Sequence, residues 1–306
     1  MDKNYISQLK HLLQATNLTQ AALAERLGVT TAALSRWLHA HAKPHPQKIE
    51  AIGTLYKELI GFPSVTPEEL SSVLQQAARF KIKSLWQQIA SNQKLQDELL
   101  LEHTYNSTTI EGATFTKKET EAVIFDKSVI RDKSLVEHLE ITNHAAVLSD
   151  ILKQKCGEKI SEEWIKGAHQ SLMQGVRKDA GEYSKHLRAI RGVDIHLTHP
   201  KDIPEEMKHL IRDWNRSKKE LADIGRFHVR FELIHPFGDG NGRVGRLIMA
   251  VQCLAANFPP VVIENSRKAD YYEVLEYAQR ESENPFILFL VSEMERTHAI
   301  LRKYLH

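Results

Sequence analysis

Hydrophobic residues recur at intervals of three and four along most of the 306 residues, which predicts a mainly α chain. In RVGRLIMAVQCLAA (243–256), Val244, Leu247, Ile248, Val251, Leu254 and Ala255 fall on one face. Phe227, Phe231 and Ile234 lead in at the same spacing, followed by Pro236. Helices are also predicted at PEELSSVLQQAARF (67–80), through Leu85, Trp86 and Ile89, at SEEWIKGAHQSLMQG (161–175) and at IPEEMKHLIRDWNRS (203–217). The stretch GEYSKHLRAIRGVDIHLTHP (181–200) departs from this pattern. It is short of helix formers and contains Gly192 with the β-branched Ile190, Val193 and Ile195.

Residues 1–60 form a separate unit, in which TQAALAERLGVTTAALSRWL (19–38) predicts helix, tight turn, helix. Thr19 caps the first helix, whose inner face is Ala22, Leu23 and Leu27; Gly28 turns the chain and Val29 fills the corner. Thr30 caps the second, with Ala33, Leu34 and Leu38 inward. This resembles a helix-turn-helix of the phage-repressor type, which implies that Thr31, Ala32, Ser35 and Arg36 face DNA. Seven Lys/Arg against four Asp/Glu in these residues favour phosphate contact only modestly, and a small bundle that docks protein is the alternative. His39, His41 and His45, in a loop with Pro44 and Pro46, read as solvated rather than metal-bound. Gly61, Pro63 and Pro67 interrupt helix in GFPSVTP (61–67), and Thr66 can cap the next helix. Residues 61–99 then read as linker and connecting helices, and 100–306 as the larger domain.

Composition narrows the class. A net charge of +2 argues against a wholesale polyanion binder. Two cysteines, Cys156 and Cys253, exclude a disulfide framework and fit a reducing cytosol; both read as core fillers. The N-terminus lacks an apolar signal core, and the longest apolar run is FILFLV (286–291), so no membrane span is expected and a cytoplasmic location is.

Chemistry concentrates in FELIHPFGDGNGRVGRL (231–247). It holds a possible base (His235), a carboxylate (Asp239), Gly238, Gly240 and Gly242, then Asn241, Arg243 and Arg246. A glycine-rich turn opening a helix offers free N–H groups and the positive dipole end to an anion. Arg243 and Arg246, three apart, can reach one face of the first helical turns. The combination points to phosphate, with a divalent metal at Asp239. Gly240-x-Gly242-x-x-Gly245, with Glu264 downstream, formally fits a dinucleotide fingerprint, but no strand precedes it and no βαβ alternation surrounds it. A calcium loop fails because Arg243 and Val244 stand where a ligand and a glycine are needed.

HPFGDGNGRVGR (235–246) resembles, position for position, the signature HPFx[D/E]GN[G/K]RxxR of the Fic family, which transfers AMP from ATP to protein hydroxyls. The resemblance extends from about Leu100 onward. It implies an all-helical core with a β-hairpin flap at 181–200, whose edge holds a target segment by main-chain pairing. It further implies that His235 takes the proton of a Ser, Thr or Tyr hydroxyl, that Asp239 binds Mg²⁺ and that Arg243 stabilises the pyrophosphate. Gly238, Gly240, Asn241 and Gly242 would cradle the phosphates of ATP, Arg246 would hold the γ-phosphate, and Tyr271 or Tyr272 would line the adenine pocket. Family members with Lys in place of Gly242 transfer phosphate, so Gly242 implies AMP transfer. Asp194, His196 and His199 could imitate a metal site, but their setting favours the flap.

Ser107-x-x-x-Glu111-Gly112 resembles the family's inhibitory motif [S/T]xxxE[G/N], on a helix expected at about 104–113. Glu111 can pair bidentately with Arg246 and Gly112 is a natural C-cap. The resemblance also implies a reverse reaction, in which Glu111 orients a water that removes AMP. The expected partners are target proteins, DNA through residues 1–60, and a second copy in a homodimer. A DNA-binding regulator sensing nucleotide, or a growth-arresting toxin silenced by Glu111, are the competing functions.

Overall fold

Capping chemistry sets helix boundaries from the first residues onward. The computed structural model describes residues 4–16, 18–60, 65–153, 160–188 and 195–305, which divide into two compact units, Met1–Val65 and Thr66–His306.

The first unit has four helices: α1 (Asn4–Ala15), α2 (Gln20–Arg26), α3 (Thr31–Leu38) and α4 (Pro46–Ile60). Thr19 and Thr30 accept the Ala22 and Ala33 N–H groups at 3.1 and 3.2 Å, so each short helix starts where its threonine stands. Leu23, Leu27, Leu34 and Leu38 are buried as expected. Ala24 and Trp37 join them, with Leu9, Leu12, Ile52 and Leu55 from the flanking helices completing the core. The Lys48 ammonium donates to the Leu27 and Gly28 carbonyls, tying α4 to the turn. Thr31, Ala32 and Arg36 are exposed and Ser35 is half-buried.

The second unit runs α5 (Pro67–Ala77), α6 (Leu85–Ala90), α7 (Gln93–Ile110), α8 (Lys117–Phe125), α9 (Leu135–Lys153), α10 (Glu162–Leu172), α11 (Ile203–Arg216), α12 (Leu221–Ile234), α13 (Asn241–Ala255), α14 (Lys268–Arg280) and α15 (Asn284–Leu301). Thr66 closes a full capping box with Glu69 at the start of α5. Helix α13 lies at the centre, packed by α6, α7, α9, α10 and α12. The apolar stripe read along it understates its burial. Met249, Ala250 and Cys253 are as inaccessible as Leu247 and Val251. A helix apolar on all sides is a core helix, which fixes its N-terminus, Asn241, against neighbours on every side.

No strand occurs among the described residues, which include both ends of the stretch expected as a hairpin, 181–188 and 195–200, but not its centre. Ile190, Gly192, Val193 and Asp194 lie outside the described residues, as do Cys156, Gly61 and Pro63. The backbone N–H groups of Ser184 and Thr198, one on each flanking arm, donate to the chain at and just past the end of α12. Ser184 N donates to Pro236 O at 2.8 Å and Thr198 N to Leu233 O at 3.2 Å. Arg188 spans both arms, donating to the His186, Thr198 and Ile234 carbonyls. No described helix is long and apolar enough to cross a membrane.

Replacing Thr30 by Ala removes the side-chain N-cap of α3 and should cost about 1 kcal/mol. Denaturant unfolding followed by Trp37, the sole tryptophan of residues 1–65, would read this loss directly, and an unshifted midpoint would contradict it.

Candidate active site

Phe231 and Ile234 are buried and hold α12 against α13, so the turn between the two helices must be made by residues 235–240. His235 ends α12 in the left-handed region (φ 49°), a conformation that costs a non-glycine residue energy and that clusters at functional sites. Asn241 then closes the loop on itself. Its side-chain oxygen accepts the Phe237 N–H and its amide donates to the Phe237 carbonyl, both at 2.9 Å. Both ends of the Asn241 side chain are thus committed to the backbone of Phe237. What remains available is backbone. The N–H groups of Asn241, Gly242 and Arg243 open α13, which has no side-chain cap, and they find no acceptor among the described residues.

A buried histidine fixes the loop from below. Gly181 N–H donates to His169 Nδ1 at 2.8 Å, so the ring proton sits on Nε2, which donates to the Asp239 carbonyl at 3.0 Å. The same ring stacks on Phe237 at 3.7 Å. Burial lowers the His169 pKa to about 4, which keeps it neutral and able to play both roles. Gly238 packs against a bidentate Arg177–Asp179 pair, and Gly240 against Met173.

The two arginines separate rather than sharing a face. Arg246, its side chain 2% exposed, donates through Nε to Ser107 Oγ at 3.0 Å and through Nη2 to Ser107 O at 2.9 Å and Glu111 Oε1 at 2.7 Å. The expected bidentate Glu111 pair is therefore corrected to a single contact, with Ser107 taking Nε and sharing Nη2. Nη1 is buried without a partner. Burial opposes the Arg246 charge, but Glu111 outweighs it and holds the guanidinium pKa above its ordinary value. Burial likewise opposes the Glu111 charge, and Arg246 again prevails, keeping that carboxyl pKa low. Arg243 turns the other way, to Glu140 of α9 at 2.5 Å and, more loosely, to Asp239 at 3.5 Å. Glu140 was legible only as part of a helix, since nothing in its local sequence announces a partner a hundred residues on.

Glu111 reaches Arg246 because α7 ends in a complete Schellman motif. Ala113 N donates to Thr108 O and Gly112 N to Thr109 O, with Gly112 at φ 109°. A Cβ on Gly242 would collide with the Glu111 carboxylate, so the pairing needs glycine at that position.

Glu111, His235, Gly242 and Arg246 line a cavity of about 160 Å³ together with Tyr271 and Tyr272. Glu111 keeps 30% of its side chain open to this space. Tyr271 is also a core residue, its hydroxyl bonded to His228 Nε2 at 2.8 Å. Glu232, within the quoted 231–247 stretch but not singled out there, lines the cavity too, as do Leu275, Glu276 and Gln279, which carry no motif that sequence reading could have caught. Asp239 stands outside it, 52% exposed, with Oδ1 engaged by the Gly240 N–H and Arg243, and Oδ2 free of hydrogen bonds among the described residues. No group of three metal-ligating side chains exists among the described residues. One open carboxylate suits Mg²⁺, which takes one or two protein carboxylates and completes its shell with water and phosphate oxygens. His199 Nδ1 accepts the Lys201 N–H as a local cap.

Residues 159–253 match the Fic/DOC family and residues 7–58 a helix-turn-helix domain. The protein adenylyltransferase Fic of Nematostella vectensis is 32% identical over 216 residues, 65% of this chain and 48% of that protein. The Drosophila willistoni protein of that name is 26% identical over 263 residues, 83% of this chain and 51% of its own. The chain spans about half the length of these relatives. Among solved structures, a Fic family protein of Desulfovibrio desulfuricans G20 superposes with a TM-score of 0.64 at 26% identity, over 80% of this chain and 77% of that one. Fic-1 of C. elegans (residues 134–508) gives 0.64 at 20% identity over 97% and 92%, a likeness of fold.

Burial holds His103, His169 and His235 near pKa 4 and His228 near 3, below the ordinary 6.5. Between about pH 6.5 and 4 the unfolded chain therefore binds protons that the fold refuses, and stability falls as pH falls, by about 1.4 kcal/mol per unit for each such group. His169→Gln should flatten that slope by about one proton in urea titrations at successive pH values. An unchanged slope would show that His169 is not held neutral.

Proposed function

From a Fic/DOC domain that follows a helix-turn-helix domain, we propose that this chain is a protein adenylyltransferase that moves AMP from ATP to a hydroxyl of a target protein or of itself. The observation that carries the reading is the Arg246 guanidinium. It is a buried charge with one nitrogen unpaired, facing a cavity beside the open N-terminus of a core helix. Such a site favours an anion with several oxygens.

In this reading the Asn241, Gly242 and Arg243 N–H groups hold phosphate oxygens, and Arg246 takes the γ-phosphate. Arg243, steadied by Glu140, faces the leaving pyrophosphate. His235 accepts the proton of the attacking hydroxyl. Its Nδ1 donates to the Glu232 carbonyl at 3.3 Å, which leaves Nε2 unprotonated. Burial lowers its pKa to about 4, so the ring is available as a base at neutral pH. Asp239 would hold Mg²⁺, which supplies positive charge against the phosphates when bound.

Glu111 is then an inhibitor. It occupies an arginine nitrogen that the γ-phosphate would otherwise meet. The same carboxylate, open to the cavity, is placed to orient a water for removal of AMP from a modified target.

With ATP labelled at the α-phosphorus, Glu111→Gly should raise self-labelling by about tenfold to a hundredfold. His235→Ala in that background should lower it at least about a hundredfold. Both variants labelling like the parent would sink the transferase reading. Release of AMP from a prelabelled protein should be lost in Glu111→Gly.

A second activity is supported by the match of residues 7–58 and by the exposure of Thr31, Ala32 and Arg36 on α3. We propose that this helix contacts duplex DNA. Gel-shift affinity should weaken steeply with salt, and Arg36→Ala should reduce the logarithmic salt slope by about 1 if Arg36 meets a phosphate. Retardation that is absent at low salt would exclude the role.

A further inference from the structure

The proposed chemistry leaves the Glu232 carboxyl without a task, although the fold makes room for it. Glu232 lies one turn before His235 on α12, is 4% exposed and lines the cavity. Its Oε2 stands 3.7 Å from His235 Nδ1, and its Oε1 is buried without a hydrogen-bond partner. The space it occupies is vacated by α13: a Cβ on Gly245 would sit 2.6 Å from Oε1. His228 and His235 face it from its own helix, Arg246 from α13, Glu111 from the end of α7, and Tyr271 and Tyr272 from α14. Arg188 approaches the imidazole from the 183–188 arm.

We propose that Glu232 is a positioning residue for AMP transfer, acting through His235: its carboxyl backs the Nδ1 edge of the imidazole and aims Nε2 at the acceptor hydroxyl. The inference rests on the transferase reading of His235. In the step, the hydroxyl oxygen bonds to the α-phosphorus while the bond from that phosphorus to the oxygen bridging toward the β-phosphate breaks. That bond's electron pair leaves with pyrophosphate, and the hydroxyl proton moves to Nε2. Nδ1 keeps its own proton, held between the carbonyl and carboxyl oxygens of Glu232. Glu232 exchanges no proton with the substrate.

The charge state suits this work. Burial raises the Glu232 pKa to about 8, against a smaller downward pull from Arg246, so the carboxyl is neutral at pH 7. A neutral carboxyl still accepts an N–H through its carbonyl oxygen. A carboxylate in its place would raise the imidazole pKa and would compete for Arg246. The carboxyl oxygen lies 3.7 Å from Nδ1, alongside the 3.3 Å bond from Nδ1 to the Glu232 carbonyl.

The test is a titration of the full-length protein labelled with ¹⁵N-histidine, with His235 identified by the signals lost in His235→Ala. The His235 nitrogens should report an Nδ1-protonated ring and should shift near pH 8, when Glu232 ionises beside them. That inflection should vanish in Glu232→Gln. His235 signals flat through pH 8, or identical in the two proteins, overturn the proposal whether or not AMP transfer is seen. If Glu232→Gln does not fold, the parent titration decides alone. In the Glu111→Gly background, Glu232→Leu should lower kcat for labelling about tenfold with KM for ATP within about twofold, and Glu232→Gln should recover most of the loss. Equal kcat in all three backgrounds also overturns the positioning role. An inflection near pH 8 with no labelling in any background leaves the Glu232–His235 coupling standing and sinks the transferase reading instead.

Discussion

A buried guanidinium that lacks one partner is the constraint around which the second unit is arranged. Arg246 projects from a helix inaccessible on nearly every side, so its charge cannot reach water and must be answered by protein or ligand. Ser107 answers two of its N–H groups and Glu111 a third. Both come from the last turn and cap of α7, and the Schellman turn at Gly112 sets the angle at which Glu111 arrives. One nitrogen, Nη1, is left buried without a partner. The helix end, the glycine at 242 and the serine of α7 follow from the need to stabilise that single charge while keeping a nitrogen free.

The loop before α13 obeys a different rule, which is rigidity without bulk. Its backbone must approach an anion closely, so its own side chains are used for holding it in shape. Asn241 clamps the Phe237 peptide at both ends, Phe237 stacks on His169, and His169 ties Asp239 to Gly181. Each contact is satisfied by a neutral group. Their neutrality matters because a charged His169 would lose its acceptor nitrogen and with it the Gly181 bond. Arg188 plays the comparable part on the other side, where three carbonyls from both flap arms and the end of α12 converge on one guanidinium.

Local rules were strong enough to be read directly from the chain. Thr19, Thr30 and Thr66 cap the helices assigned to them, the apolar spacing placed α12 and α13, and the 235–246 motif fell at the junction of those two helices. Hydrophobic period and capping act over a turn or two of helix, so they survive in a one-dimensional string. Over 181–200 the β-branched residues signalled strand pairing; Ile190 and Val193 lie outside the described residues, and the described arms hydrogen-bond to the chain at and just past the end of α12.

What the residues alone determined was therefore a helical chain in two units, a loop able to receive an anion, and the chemical types gathered there. What only the tertiary structure decided was who answers whom. Arg243 goes to Glu140 and Arg246 to Ser107 and Glu111, although the spacing of two arginines three residues apart suggested a shared target. Asn241 turns inward, and Glu232 lies beside His235 in space left by Gly245. The two arginine pairings join groups from helices far apart in the chain. A buried charge is satisfied by whichever partner packing delivers to within about 3 Å, and no periodicity in the sequence carries that distance.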